Sequence, residues 1–195
     1  MEATKIWLKL FTSAKPPDAH LFTATFHDFI RRKELAELMI DVVDYGHVHD
    51  GPRVLFVGHE GDYAIDHGEE RWGLAYQRKR APSVGDGAFA AHLGDALKRT
   101  LDVASRLQKE QALAALSFDT SEIALRIADR LHAPNDASTF AAVQIDLEAT
   151  AKRLWGEGAT ATYEPGDGVG LFAARLRAPA GASATTSELL ARVAS

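Results

Sequence analysis

Four of the eight histidines in this 195-residue chain (His47, His49, His59 and His67) fall between Asp41 and Glu70, in a stretch dense with carboxylates. Imidazole and carboxylate together are the donor set of N/O metal sites. His47 and His49 form an H-x-H pair, which in extended backbone directs both rings to one side. With His59 and Glu60 one strand further on, and Asp66 or His67 on the next, a divalent metal such as zinc, iron or manganese is the cofactor this spacing suggests. His47, His59 and Glu60 would be its ligands. The stringent H-E-x-x-H spacing is absent, and the competing expectation is that these histidines sit in solvent-facing turns. The chain has no cysteine, which removes thiolate nucleophiles, thiolate zinc sites and iron–sulfur clusters. It also has no G-x-S-x-G elbow, and the Gly85/Gly87 pair lacks the third glycine and the lysine of a phosphate loop.

Two further carboxylates raise a question of burial. Strand alternation sets Asp41 on the face of Met39, Val43 and Tyr45, and Asp129 on that of Ile123, Leu125 and Ile127. A carboxylate on an apolar face must be paired or hydrogen-bonded, so each is expected to pair with an arginine, Arg53, Arg126 and Arg130 being at hand, or to cap nearby backbone amides. Arg78-Lys79-Arg80 is the strongest local positive run; it reads as the solvated end of an edge strand rather than a phosphate contact. A net charge of −5 argues against a nucleic-acid surface.

The elements that position these groups are readable from period and punctuation. Ile6, Leu8 and Leu10 alternate with Trp7, Lys9 and Phe11 as a strand. Pro16-Pro17-Asp18 opens a helix carrying Phe22, Phe26, Phe29 and Ile30. Leu38–Tyr45, Val54–His59, Tyr63–Asp66 and Trp72–Lys79 read as a meander, because their connections are too short for crossovers. Ala81–Gly87 is the expected hinge, followed by a long helix with its stripe from Phe89 to Leu107. Leu116–Phe118 and Glu122–Leu131 read as two strands. Pro134-Asn135-Asp136 introduces a third helix that ends at Gly156, and Thr160–Tyr163 with Val169–Arg177 forms a last hairpin. The expected fold is α+β: an antiparallel or mixed sheet covered by helices, in the order β-α-β-β-β-β-α-β-β-α-β-β. Residues 1–178 would form one domain, of two similar halves (about 1–80 and 83–178). Residues 179–195 would be an Ala/Ser/Thr-rich tail that frays, with Ser187–Val193 as a candidate short helix.

The pattern D-Y-x-H-V-x-x-G-P-x-V-x-x-V-G-H-E-x-x-Y-x-x-D from Asp44 to Asp66, with D-R-L-x-A-P-N at Asp129–Asn135, resembles an uncharacterised family of bacterial proteins. The resemblance covers both halves. It implies one co-folded unit, with a pocket joining the two segments as the place for a ligand, and it implies no activity.

The leading functional expectation is a module that binds a small molecule or a protein partner, without chemistry of its own. Its site would be built from Tyr45, His47, His59, Glu60, Tyr63, Asp66, Asp129 and Asn135, since ionisable residues gathered in loops between apolar strands are where binding groups are carried. The alternatives are a metal-dependent hydrolase or oxygen enzyme using His47, His59 and Glu60, and an assembly module using strand edges or the long helix. The N-terminus does not read as a signal peptide, and no apolar window approaches membrane-spanning length, so the expected location is cytoplasmic.

Overall fold

The computed structural model of the chain describes residues 5–48, 50–79, 89–166 and 170–194. His49, Arg80 and the expected hinge at Ala81–Gly87 lie outside the described residues. Eight strands form one sheet: β1 (Ile6–Thr12), β2 (Met39–Asp44), β3 (Pro52–Gly58), β4 (Gly61–Asp66), β5 (Gly73–Arg78), β6 (Phe118–Ile127), β7 (Thr160–Tyr163) and β8 (Phe172–Arg177). Their order is β2-β3-β4-β5-β1-β6-β8-β7, with every neighbouring pair antiparallel. Four helices, α1 (Ala19–Arg32), α2 (Phe89–Leu107), α3 (Ala137–Trp155) and α4 (Thr186–Ala194), complete an α+β fold. The first and second halves join where β1 pairs with β6 at the middle of the sheet.

Strand register sorts the residues into two faces. One cross-strand row runs Val42, Phe56, Tyr63, Tyr76, Leu8, Leu125, Ala174 and Tyr163 over all eight strands. This is the face the helices cover. The Phe26 ring of α1 stacks on Phe56 at 4.5 Å, and Phe140 of α3 stacks on Tyr163 at 5.8 Å. The adjacent row, on the opposite face, runs Val43, Leu55, Ala64, Ala75, Lys9, Ala124, Arg175 and Thr162. Because successive side chains alternate, the first row builds the core and the second builds a face with charges in it.

The helix ends follow their local signals. The Asp136 carboxylate accepts a hydrogen bond from the Thr139 N–H at 2.8 Å, capping α3, and Gly156 ends that helix with φ 84° after Lys152 and Arg153. No helix among the described residues is long and apolar enough to cross a membrane.

Several local expectations are corrected. β6 is one strand of ten residues, not two, because the polar stretch Asp119–Glu122 is absorbed in a register shift against Leu10–Thr12 of β1. α4 is a helix packed on α2 and α3 with Leu189 fully buried, so this part of the tail is docked. Arg78 is not at a solvated edge: β5 lies inside the sheet, and the Arg78 side chain is wholly enclosed beneath the helices. Asp41 does not share the face of Met39. A register shift between the two residues leaves Met39 in the core and turns Asp41 outward, where it accepts from the Val42 N–H. Asp129 lies past the end of β6 rather than on its apolar face; there it caps backbone, accepting from the His132 N–H, and it also pairs with the His132 ring.

Candidate functional site

On the sheet face opposite the helices, Lys9 is completely buried although it is a lysine at the centre of a strand. Its neighbours explain how. The residues across from it on both sides are alanines, Ala75 and Ala124. Gly73 leaves an opening for its stem, since a Cβ there would lie 2.9 Å from both Lys9 Cγ and Cε. Through that opening Nζ donates to Asp66 Oδ2 at 2.5 Å and to the Gly68 carbonyl at 2.8 Å. Burial disfavours the ammonium and pulls the Lys9 pKa below its ordinary value, with Asp66 acting in the opposite direction.

The connection between β4 and β5 closes over this face. Glu69 and Glu70 both take left-handed backbone, with φ 62° and 55°, conformations unfavourable for residues bearing a Cβ. That geometry carries Glu69 to Arg126, with which it pairs, and to Arg175 at 3.4 Å. Arg71 lies over the Phe11 ring at 3.6 Å and donates to Glu122 at 2.6 Å. Burial alone would raise the pKa of Glu122, but Arg71, Arg175 and Arg177 together hold it below its ordinary value. Arg126 stacks over the Trp7 indole at 4.8 Å. Between these groups lies an open cavity of about 390 Å³, lined by Trp7, Lys9, Asp50, Asp66, Glu69 and Arg126 together with Gly51 and Gly68.

A second polar cluster lies on the helix side. The Tyr63 hydroxyl donates to Glu37 Oε1 at 2.8 Å; Arg99 donates to Glu60 at 2.6 Å and to Asp95 at 2.8 Å; and Asp95 also pairs with the enclosed Arg78. Gly61 is required here because a Cβ would meet the Tyr76 ring at 2.5 Å. Glu37 Oε2, the Tyr76 hydroxyl, Arg78 Nε and His92 Nδ1 have no hydrogen-bond partner among the described residues. Burial pushes Tyr63 well above its ordinary pKa and Tyr76 up to about 12. These charges tie the α1–β2 connection, α2 and the β3–β4 turn to one another. Their unpartnered atoms are sealed from solvent, which suits an internal clamp. In the open-face cavity, side-chain exposures of 13% at Asp66, 32% at Glu69 and 36% at Arg126 leave those groups within reach of a ligand. On the helix side, Arg99, Asp95 and Glu60 are comparably exposed, and Glu37, Tyr63, Asp95 and Arg99 line a second cavity of about 340 Å³.

The residues singled out from sequence are distributed over both faces and several turns. Glu60 and Tyr63 meet in the Arg99–Glu37 cluster, whereas Asp66, three residues after Tyr63, points to the opposite face and meets Lys9. Tyr45 and His47 lie together in the β2–β3 turn with ring centroids 6.1 Å apart. His59 is in the β3–β4 turn, at the other end of a seven-residue strand. At about 3.3 Å per residue that strand holds the two histidines roughly 20 Å apart, so His47, His59 and Glu60 do not converge. Among the described residues no group of three His, Asp or Glu side chains is placed to hold a metal ion. Asp129 turns back to His132, and the Asn135 side-chain oxygen accepts from the Tyr163 hydroxyl at 3.0 Å, beside the last hairpin.

Lys9, Trp7 and Glu69 are not among the residues that spacing points to, and Arg126 is so only as a partner for a carboxylate, although a trace of Lys9 is present. A lysine between Trp7 and Phe11 on one strand face is flanked by aromatic residues rather than by polar ones. What made the difference, alanine on both neighbouring strands, depends on pairing. No protein-family model, curated protein or solved structure matches the chain.

Proposed function

We propose that the protein binds a small polar molecule in the open-face cavity beside Lys9. The observation that carries this reading is the combination of an opening of about 390 Å³, within the range of small-molecule pockets, with an enclosed Lys9–Asp66 pair at its wall. Strain at Glu69 and Glu70 supports it, since non-glycine residues in left-handed backbone gather at functional loops. Gly51 and Asp66, both in the segment that carries the family resemblance, line the cavity.

The lining selects among ligands. Asp50, Asp66 and Glu69 outnumber Lys9 and Arg126, which disfavours an anion. The carboxylates and the amine offer hydrogen bonds to hydroxyl or amide groups, and the Trp7 face offers apolar contact to a carbon skeleton. The protein is read as acting in the reducing cytoplasm, a compartment suited to a cysteine-free chain.

Thermal-shift and calorimetric titration against neutral, cationic and anionic polar metabolites tests this. A neutral or cationic compound should bind, and its affinity should fall in both Trp7→Ala and Arg126→Ala. Binding that both substitutions leave unchanged would place the ligand elsewhere and remove the reading.

A further inference from the structure

We propose that Lys9 captures a small hydroxylated aldehyde or ketone as an imine, using Asp66 to move the protons. This rests on the reading of the open-face cavity as a binding site and goes beyond it by assigning the cavity a covalent step.

Three features carry the inference. The amine stands at the cavity wall, and the residues around its stem are Gly73, Ala75 and Ala124, so no bulky side chain crowds it from the neighbouring strands. A single carboxylate, Asp66, is hydrogen-bonded to Nζ at 2.5 Å, close enough to take and return a proton without a mobile water. Enclosure also lowers the Lys9 pKa, which eases loss of the ammonium proton, the usual route by which a lysine becomes a nucleophile. The other seven lysines, Lys5, Lys15, Lys33, Lys79, Lys98, Lys109 and Lys152, are all exposed. Lys9 is thus set apart from every other amine side chain of the chain.

The step balances without an external co-reactant. The Lys9 ammonium gives one proton to Asp66, and the freed nitrogen pair attacks the carbonyl carbon. A proton passes from nitrogen to the former carbonyl oxygen, giving a carbinolamine. Asp66 then returns its proton to that hydroxyl, the C–O bond breaks, and water leaves. The products are a protonated imine on Nζ and the Asp66 carboxylate. The ligand's hydroxyls would face Asp50 and Glu69, and its carbon skeleton the Trp7 ring. The excess of carboxylates selects a neutral carbonyl compound over a 2-oxo acid.

The test uses the full chain with glycolaldehyde and cyanoborohydride, which reduces an imine to a stable secondary amine, followed by peptide mapping. Lys9 should be modified several-fold faster than any of the seven exposed lysines, the reverse of what random modification by accessibility gives. In Lys9→Met the fast site should vanish while the exposed lysines keep their rates. Calorimetry with glycolaldehyde alone reads occupancy of the cavity. Binding without fast modification of Lys9 overturns the imine and leaves the binding reading standing. Neither binding nor modification, extended over the wider metabolite panel, overturns both. Equal modification of Lys9 by pyruvate overturns the assignment to neutral carbonyl compounds.

Discussion

Lys9 Nζ lies 2.5 Å from Asp66 Oδ2, and the residue that faces Asp66 across the β4–β5 pairing is Gly73. The lysine stem passes over that glycine, so a strand position without a side chain is what lets a buried cation reach its counterion. A Cβ at Gly73 would also lie 2.6 Å from the Leu10 carbonyl, part of the β1 backbone, which cannot easily move aside.

Gly73→Ala is therefore expected to destabilise the fold by about 1–3 kcal/mol, the usual cost of overpacking a closed site. Urea unfolding measures it. Gly94, whose Cβ would meet nothing within 4 Å, is the control: Gly94→Ala sits in α2 and should stabilise.

Removing one member of the Lys9–Asp66 pair leaves the other charge enclosed. Lys9→Met and Asp66→Leu should each cost about 3–5 kcal/mol, whereas the double substitution should recover most of that loss. A double-mutant cycle by chemical denaturation reads the coupling, and additive losses would show that the two charges do not depend on each other.

Two buried groups set opposite pH dependences. Lys9 has its folded pKa below the ordinary 10.5, so between those values the unfolded chain binds more protons than the folded one. Its unfavourable contribution is complete below the folded pKa and is relieved as pH rises to 10.5. Tyr76 titrates at about 12 when folded against 10 when unfolded, so above pH 10 the unfolded chain releases its proton first and stability falls. Near-ultraviolet absorbance should show a phenolate step near pH 12 that disappears in Tyr76→Phe, and stability curves of Lys9→Met should lose the rise below pH 10.5.

Glu70 holds φ 55° and is exposed at the turn over the open face. Glu70→Asn keeps a polar residue that tolerates left-handed backbone, and a gain of about 0.5–1 kcal/mol is expected. The melting temperature reads it, and no gain would mean that the turn relaxes around glutamate at no cost.

Leu189 is fully buried where α4 packs on α2 and α3. Leu189→Ala should cost about 2–5 kcal/mol, as a core truncation does. A frayed tail would show no loss in the same unfolding measurement.

Much of the architecture was legible along the chain because helix and strand periods are local. The Phe22–Phe26–Phe29 face of α1, the long α2 stripe, the Asp136 cap and Gly156 end of α3, and the β2–β5 meander all answer to neighbours within a few residues. The misread segments are those where a partner strand intervened. Met39 and Asp41 look equivalent by alternation, but a register shift against β3 separates them. Arg78 looks like a strand terminus, but β1 pairs beside it and the helices cover it.

The candidate site divides in the same way. The polar, histidine-rich segment from Asp41 to Glu70 stands out by composition, and five of its residues, Asp50, Gly51, Asp66, Gly68 and Glu69, do line the cavity. Which histidines and carboxylates meet was not contained in their spacing, because β3 separates His47 from His59 by its whole length and strand alternation sends Tyr63 and Asp66 to opposite faces.

By itself the sequence determined an α+β chain without cysteine chemistry, its helices and most of its strands, since those depend on local period, caps and composition. Only the tertiary structure decided that Lys9 is buried and paired. Its enclosure requires Gly73 from β5, alanines from β5 and β6, and Asp66 from β4, and residues so far apart in the chain become neighbours only when sheet register is set.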